Sequence, residues 1–268
     1  MATSPDELLA VAAAAARAAG DVLTDALGGQ LDVDRKNERT SLVPSADLAA
    51  QAEIERVIGG HYPHHAIAGE EGSTVGTGGS DLTWIVDPLD GTSNYAHGVP
   101  FACSSVAVKD AEGLAAGAIF EPFREELFTA VRGGGAWLGS ERLVVSGTTA
   151  VSDALVCTGV QSDDENAIAA FGRRIVSLQR NCRAVRCIGS PALCLAYIAA
   201  GRIDGFLEAD STYAWDVAAG ALMITEAGGF IEDLAGGPLN LGTGLANVIA
   251  SNGRIHDALV ALVREVEQ

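Results

Sequence analysis

The chain has 268 residues, 48% of them hydrophobic and 19% charged, which is enough apolar content to form a packed core. Its 17 basic and 35 acidic residues give a formal net charge of −18, which argues against nucleic-acid binding because phosphate neutralisation needs basic patches. No apolar run approaches the ~18 residues of a membrane span, and the five cysteines form no CxxC pair, as is typical of a reduced cytoplasmic protein.

The first half of the chain alternates between helical and strand patterns. A capping box with proline at the first helical position, at residues 4–7, predicts a helix that ends at Gly28 and Gly29. The polar segment 31–43 indicates a hairpin or loop, and a second helix is predicted from Ser45 to Gly60. Apolar runs then predict strands at 66–68, 82–86, 101–108, 114–120 and 126–131. This pattern favours helices packed on a mostly antiparallel sheet.

From about residue 151 onward, strands and helices alternate along the chain, which is typical of an α/β arrangement. Strands are predicted at 154–158, 184–188, 203–208, 230–233 and 248–250. Helices are predicted at 163–178, 190–200, 214–227 and 254–266. We therefore predict an α/β protein with an α+β subdomain (residues 1–150) and an α/β subdomain (residues 151–268) that form one compact unit.

Several common functional motifs are absent from the sequence. A Walker A phosphate loop is excluded, since neither lysine, Lys36 or Lys109, follows a glycine. The histidines at 61, 64 and 65 crowd one loop, but no fourth ligand stands at zinc-binding spacing, so a structural loop is favoured there.

Acidic residues interrupt the apolar strand predicted at 82–86. Asp87 follows that strand directly, and Pro88, which lacks an N–H group, is expected to end its hydrogen-bond ladder. Asp90 can then turn back toward Asp87, with the carbonyl of Leu89 between them. Three oxygens on one short turn predict a site for a hard cation, at the sheet edge where α/β enzymes bind ligands.

Neighbouring residues extend this prediction. Residues 91–94 can begin a helix whose free N–H groups would face an anion. Glu70 follows another predicted strand, and Asp216 stands in an otherwise apolar helix, where a carboxylate is costly unless it is paired or bound to metal. A helix-capping aspartate is the simpler interpretation of Asp216 alone. Taken together, the acids favour metal binding, and their all-oxygen character favours Mg²⁺ over Zn²⁺.

Four segments of the sequence resemble the inositol monophosphatase family of Mg²⁺-dependent, lithium-sensitive sugar and polyol phosphatases. The matching motifs are GEE at 69–71, WIVDPLDGTSN at 84–94, WDVAAG at 215–220 and TEAGG at 225–229. The resemblance covers nearly the whole chain. It implies a layered αβαβα sandwich, a small phosphorylated polyol substrate and a homodimer.

The resemblance also implies metal ligands, for two or three Mg²⁺ ions in each site. The first ion would bind Glu70, Asp87 and the Leu89 carbonyl, and the second would bind Asp87, Asp90 and Asp216. A third, weaker ion would lie near Glu70 and water, and Glu70 would also be a catalytic residue. Asp90 and Asp216 would additionally contact the substrate.

Further roles carry over from the same family. Thr92 and Asp47 would form the hydrogen-bonded pair that orients the attacking water, and the N–H groups of Gly91 and Thr92 would hold phosphate. Lys36 would lie in a loop that closes over the site. Glu208 would accept hydrogen bonds from substrate hydroxyls, at the start of a segment, 208–213, where the resemblance places specificity. Three more residues would line the substrate pocket: Gly189, Ser190 and Ala192.

The sequence therefore predicts Mg²⁺-dependent hydrolysis of a phosphomonoester, with myo-inositol monophosphate as the favoured substrate. Asp87 and Asp90 would be ligands and not nucleophiles, since water can attack the phosphorus in line. Histidinol phosphate, phosphoadenosine phosphate and fructose 1,6-bisphosphate remain alternative substrates. An interaction protein that uses the same fold as a scaffold, as some bacterial relatives do in transcription complexes, and a metal-binding protein without turnover are alternatives from other classes.

Overall fold

The computed structural model describes residues 3–26, 33–35, 42–70, 72–74, 81–242 and 244–265. Within these ranges it contains seven α-helices and fifteen β-strands. None of the helices described is long and apolar enough to span a membrane. The predicted loop residue Lys36 and the predicted helix stop at Gly28 and Gly29 lie outside the described residues.

The first sheet has eight strands, in the order β10-β9-β8-β7-β6-β5-β3-β4. Its strands are β3 (Ala66–Gly69), β4 (Gly72–Thr74), β5 (Thr83–Asp90), β6 (Cys103–Asp110), β7 (Gly113–Glu121), β8 (Glu126–Val131), β9 (Gly135–Leu138) and β10 (Glu141–Arg142). All neighbouring pairs are antiparallel except β3 and β5. A separate antiparallel pair, β1 (Val33–Arg35) and β2 (Leu42–Pro44), confirms the predicted hairpin.

Two helices cover the outer face of this sheet, α1 (Pro5–Ala26) and α2 (Ser45–His61). The predicted capping box begins α1, because the Ser4 N–H donates to Glu7 Oε2 at 2.9 Å and the Glu7 N–H donates to Ser4 Oγ at 3.3 Å. Alanines line the buried face of α1, and the Ser104 hydroxyl of β6 donates to the Ala16 carbonyl at 2.6 Å. Small side chains thus let the helix lie close against the strands.

The second sheet has five strands, in the order β12-β11-β13-β15-β14. They are β11 (Leu155–Gly159), β12 (Ala184–Arg186), β13 (Gly205–Glu208), β14 (Phe230–Asp233) and β15 (Val248–Ser251). Strand β11 runs parallel to β12 and β13, whereas β15 runs antiparallel to both of its neighbours. The remaining helices are α3 (Thr92–Ala96), α4 (Glu165–Asn181), α5 (Pro191–Ala199), α6 (Ala214–Glu226) and α7 (His256–Glu265).

The helices and sheets stack in five layers. Side chains of α5 and α6 pack between the two sheets in one hydrophobic cluster, while α4 and α7 cover the outer face of the second sheet in another. With α1 and α2 on the opposite outer face, this is the predicted αβαβα sandwich, which is thereby confirmed. The division of the chain at residue 150 stays a prediction.

Strand β5 differs from its prediction. Pairing with β6 does not end at Pro88, because Asp87 lies opposite Ser105 and Asp90 lies opposite Cys103. Three steps along β5 therefore match two along β6, which is a β-bulge. The bulge absorbs the proline that lacks an N–H group, and the ladder resumes beyond it. Prediction also missed the short strands β4, β9 and β10.

Candidate active site

Three aspartates meet where β5 ends and α6 begins. Asp87, Asp90 and Asp216 each place a carboxylate oxygen so that the three oxygens lie within 4.8 Å of one another. Asp87 and Asp90 come from one strand, while Asp216 comes from the helical layer between the sheets. The structure thus brings together three of the predicted metal ligands, in a group that could hold a cation.

The bulge in β5 folds this part of the strand back on itself. The Leu89 N–H donates to Asp87 Oδ1 at 3.0 Å, and the Leu89 carbonyl accepts a hydrogen bond from Thr92 Oγ1 at 2.9 Å. Between them Gly91 adopts a left-handed conformation (φ 92°) as the N-cap of α3. A Cβ atom at Gly91 would lie 2.9 Å from the Phe101 carbonyl oxygen, so only glycine fits this turn.

Three hydrogen-bond donors contact the Oδ2 atom of Asp90. The Ser190 hydroxyl lies at 2.5 Å, the Ala192 N–H at 2.8 Å and the Cys103 thiol at 3.7 Å. Ser190 and Ala192 are buried, and neither is among the residues that line the cavity. This differs from the expectation that both line the substrate pocket, because the first turn of α5 points its donors at Asp90.

Asp216 serves its own helix as well as the cluster. Its Oδ2 atom accepts a hydrogen bond from the Tyr213 N–H at 2.6 Å, as expected of a residue that caps α6. Asp216 also lines the cavity and belongs to the acidic cluster. The capping interpretation and the metal-binding interpretation of Asp216 are therefore compatible.

The three carboxyl groups are electrostatically unfavourable next to one another. Burial, together with Glu70 and the other two aspartates, raises the pKa of Asp87 well above its usual value. Burial also raises the pKa of Asp90 to about 7, although the donors on its Oδ2 oppose this, and it raises that of Asp216 strongly. Among the described residues that line the cavity there is no lysine or arginine to balance them. An all-oxygen, cation-poor cluster of this kind fits a hard divalent ion.

The cluster lies in an open cavity of about 630 Å³. Glu70, Gly91, Thr92, Gly189 and Glu208 also line it. Glu70 is exposed there, at the end of β3. These residues thus surround one space, to which β5, α3, β13 and the segments that follow β3 and precede α5 contribute.

Glu208 lines the cavity in an almost fully buried position, near enough to Asp90 and Asp216 to contribute to their raised pKa values. Its Oε1 atom accepts a hydrogen bond from the Ser211 hydroxyl at 2.6 Å. Gly159 of the neighbouring strand leaves space for it, because a Cβ atom there would lie 2.6 Å from Glu208 Oε2. Burial raises the pKa of Glu208.

Sequence reasoning missed some contributors to the site. The Asn94 amide donates to the Phe101 and Ile188 carbonyls at 2.9 and 2.7 Å, which joins α3 to the segment that leads into α5. Asn94 lies inside a matched motif and was therefore recognisable. Cys103 and Gly159 carried no signal, because their roles depend on contacts between distant segments.

The two residues predicted to orient the attacking water, Asp47 and Thr92, lie near the acidic cluster. Asp47 is buried in the first turn of α2, close enough to contribute to the raised pKa of Asp87. The hydroxyl of Thr92 donates to the Leu89 carbonyl, which leaves its oxygen available as an acceptor. The Thr92–Asp47 pair stays a prediction.

Comparisons with known proteins find similarity to one family along nearly the whole chain. The model of the inositol monophosphatase family matches residues 4–268. Nus factor SuhB of Pseudomonas aeruginosa is 38% identical, over 96% of either chain, and inositol monophosphatase 2 of Solanum lycopersicum is 36% identical, over 98% of this chain and 100% of the relative. The solved structure of inositol monophosphatase from Anabaena is similar with a TM-score of 0.85 and 35% identity, covering 97% of this chain and 96% of that one.

Proposed function

The chain belongs to the inositol monophosphatase family of phosphoric monoester hydrolases, and from that premise we propose that it hydrolyses myo-inositol monophosphate to inositol and phosphate with Mg²⁺. One observation carries the proposal. The carboxylate oxygens of Asp87, Asp90 and Asp216 converge within 4.8 Å in an open cavity, with no lysine or arginine among its described lining residues. Such a cluster attracts cations, and bound cations make a phosphate dianion bindable in an acidic protein.

We assign the ligands of two or three Mg²⁺ ions to five groups: the carboxylates of Glu70, Asp87, Asp90 and Asp216, and the Leu89 carbonyl. Supporting this, the three aspartates converge, and Glu70 lines the same cavity. When bound, Mg²⁺ would neutralise the phosphate, acidify the attacking water and stabilise the leaving alkoxide. Asp90 and Asp216 each keep one carboxylate oxygen hydrogen-bonded to a backbone N–H group, which helps to orient both side chains.

The start of α3 is proposed to hold the phosphate. Supporting this, Gly91 and Thr92 line the cavity, and Gly91 is the N-cap of α3, where the first N–H groups lack partners within the helix. Thr92 and Asp47 would orient the attacking water. Asp87 and Asp90 would not attack the phosphorus, because their carboxylates serve as ligands. No covalent intermediate on the protein is therefore needed.

The part of the cavity lined by Glu208 and Ser211 is proposed to select the leaving group. Glu208 and the adjacent Ser211 offer a carboxylate and a hydroxyl at one edge, which suits the vicinal hydroxyls of a polyol. Gly189 lines the same cavity, whereas Ser190 and Ala192 act through Asp90. A second phosphate would call for a further cationic side chain. The lack of lysine or arginine among the described lining residues thus favours a monophosphate over fructose 1,6-bisphosphate or phosphoadenosine phosphate.

The test is phosphate release from a panel of esters, with Mg²⁺ and with EDTA. The panel contains inositol 1-phosphate, histidinol phosphate, fructose 1,6-bisphosphate and phosphoadenosine phosphate. We expect Mg²⁺-dependent turnover, with the highest kcat/KM on inositol 1-phosphate. Full activity in EDTA would contradict the metal assignment. A preference for histidinol phosphate would support the phosphatase activity but contradict the assignment of inositol monophosphate as the substrate.

A second candidate function rests on the relative Nus factor SuhB of Pseudomonas aeruginosa, which is 38% identical over 96% of this chain. By analogy, this chain would contact a transcription complex through protein surfaces, since its charge of −18 disfavours direct RNA contact. Pull-down of RNA polymerase by the Asp90→Asn variant would separate this role from catalysis. We also propose a homodimer located in the cytoplasm, which light scattering and cell fractionation would test.

A further inference from the structure

Arg174 is a buried cation that the proposed reaction does not use. It lies on α4, and only 4% of its side chain is exposed, so its charge needs anionic partners within the protein. Three residues earlier on the same helix, Phe171 lines the active-site cavity. Arg174 therefore lies about one helical turn along α4 from a residue that lines the cavity.

Two acidic neighbours of Arg174 belong to the segment 208–213. Its guanidinium Nη2 lies 3.8 Å from Asp210 Oδ2. Its charge also acts on Glu208, where it opposes the rise in pKa that burial causes. One arginine thus faces both the cavity residue Glu208 and the turn that follows it.

That turn is in a conformation that requires support. Asp210 has φ +66°, in the left-handed region that few residues other than glycine adopt. Its N–H donates to Asn247 Oδ1 at 2.8 Å, and its carboxylate faces Arg174. The same turn contains Ser211, whose hydroxyl donates a hydrogen bond to Glu208. Contacts outside the turn therefore determine where the polar edge of the cavity lies.

We propose that Arg174 is a positioning residue for substrate selection, which holds the segment 208–213 in place and keeps Glu208 an acceptor for the hydroxyl groups of a polyol phosphate. This inference rests on the proposed function, because it concerns the leaving-group side of the same cavity. It predicts that Arg174 affects the choice of ester and not the hydrolysis of phosphate as such.

The experiment compares Arg174→Gln with Arg174→Lys on two esters, inositol 1-phosphate and p-nitrophenyl phosphate, in Mg²⁺. We expect Arg174→Gln to raise KM for inositol 1-phosphate about tenfold, the size of one weakened charge-assisted hydrogen bond. Its kcat on p-nitrophenyl phosphate, which has no hydroxyl groups, should stay within about twofold of wild type. Arg174→Lys should recover most of the loss. Arg173→Gln, an exposed arginine next to it on α4, is the matched control and should change neither ester.

A double-mutant cycle with Glu208→Gln tests the route of the effect. In that background Arg174→Gln should add less than about twofold to KM, because the acceptor that it supports has already lost its charge. If Arg174→Gln does not fold, Asp210→Asn removes the other end of the ion pair at an exposed position and should raise the same KM.

The outcomes separate the two proposals. A wild-type protein without Mg²⁺-dependent activity on either ester would overturn the proposed function. An active wild type in which Arg174→Gln lowers kcat equally on both esters, or in which the lysine variant behaves like the glutamine variant, would overturn only the role of Arg174. So would additive effects in the double mutant.

Discussion

The acidic site is built from two regions that reach it in different ways. Residues 87–94 form one continuous segment, in which a bulge and a glycine turn bring Asp87, Asp90 and Thr92 to the cavity. The second region comes from separate elements: Glu208 on β13 and Asp216 on α6 line the cavity, and Ser190 before α5 supports Asp90. The first region is shaped by its own backbone, whereas the second depends on how the helical layer packs between the sheets.

Asp90 is the residue through which the two regions are in contact. It belongs to the first segment, yet its Oδ2 atom is held by Ser190 and Ala192 of the second. A change at Asp90 should therefore have the largest effect. Changes confined to the Gly91 turn or to Ser190 should separate local geometry from packing.

Asp90→Asn should reduce Mg²⁺-dependent activity at least about a hundredfold, because it removes one proposed ligand charge. The asparagine oxygen can still accept hydrogen bonds from Ser190 and Ala192. Since a buried anion is removed, thermal stability of the metal-free protein at pH 8 should rise. Activity assays and calorimetry measure both effects, with the exposed Asp163→Asn as control. Wild-type activity in Asp90→Asn would refute the ligand role.

Gly91→Ala tests the local region. Its left-handed φ and the 2.9 Å approach to the Phe101 carbonyl predict a loss of about 2–3 kcal/mol in the free energy of unfolding, with a parallel loss of activity. Gly98→Ala is the matched control, because Gly98 is also left-handed (φ 69°) but a Cβ there meets nothing within 4 Å. It should cost about 1 kcal/mol. Equal losses in urea unfolding would show that the close approach is unimportant.

The pH dependence of stability tests the junction of the two regions. Burial raises the pKa of Asp90 to about 7, above its ordinary 3.8, so folding favours the protonated carboxyl. The metal-free protein should therefore lose stability as pH rises from about 4 through about 7. Saturating Mg²⁺ competes with protons and should raise the Tm by several degrees more at pH 8 than at pH 5. An equal shift at both pH values, measured by calorimetry against an EDTA sample, would argue against binding at these carboxylates.

Ser190→Ala probes the packed region with the smallest expected effect. It removes one donor that favours the ionised form of Asp90, so the Mg²⁺ concentration for half-maximal activity should rise about tenfold. The increase should be greater at pH 6.5 than at pH 8.5, because protons compete better at low pH. Ser140→Ala, in an exposed turn, provides the control. If KM for the ester rose while the Mg²⁺ requirement stayed constant, Ser190 would instead contact substrate.

The predictions from sequence succeeded where a feature depends on local sequence and failed where it depends on packing between distant segments. The helix and strand pattern, the αβαβα layers and the convergence of Asp87 with Asp90 were all recognisable, since they depend on hydrophobic periodicity and on a short turn. The end of β5 was predicted wrongly at Pro88, because whether a proline ends a strand or sits in a bulge depends on the neighbouring strand. Ser190 and Ala192 were expected to line the pocket but donate to Asp90 instead. The reason is related, because packing sets the direction of the first turn of α5.

The amino-acid sequence by itself determined the family, the layered fold and the acidic character of the site, because residue type, spacing and local backbone preferences express these directly. Only the tertiary structure decided which donors hold Asp90, how Gly159 makes room for Glu208 and that Arg174 faces the segment 208–213. These contacts join residues that lie tens of positions apart in the chain. Their distances follow from the stacking of two sheets around shared helices, a property that no single segment of the chain carries.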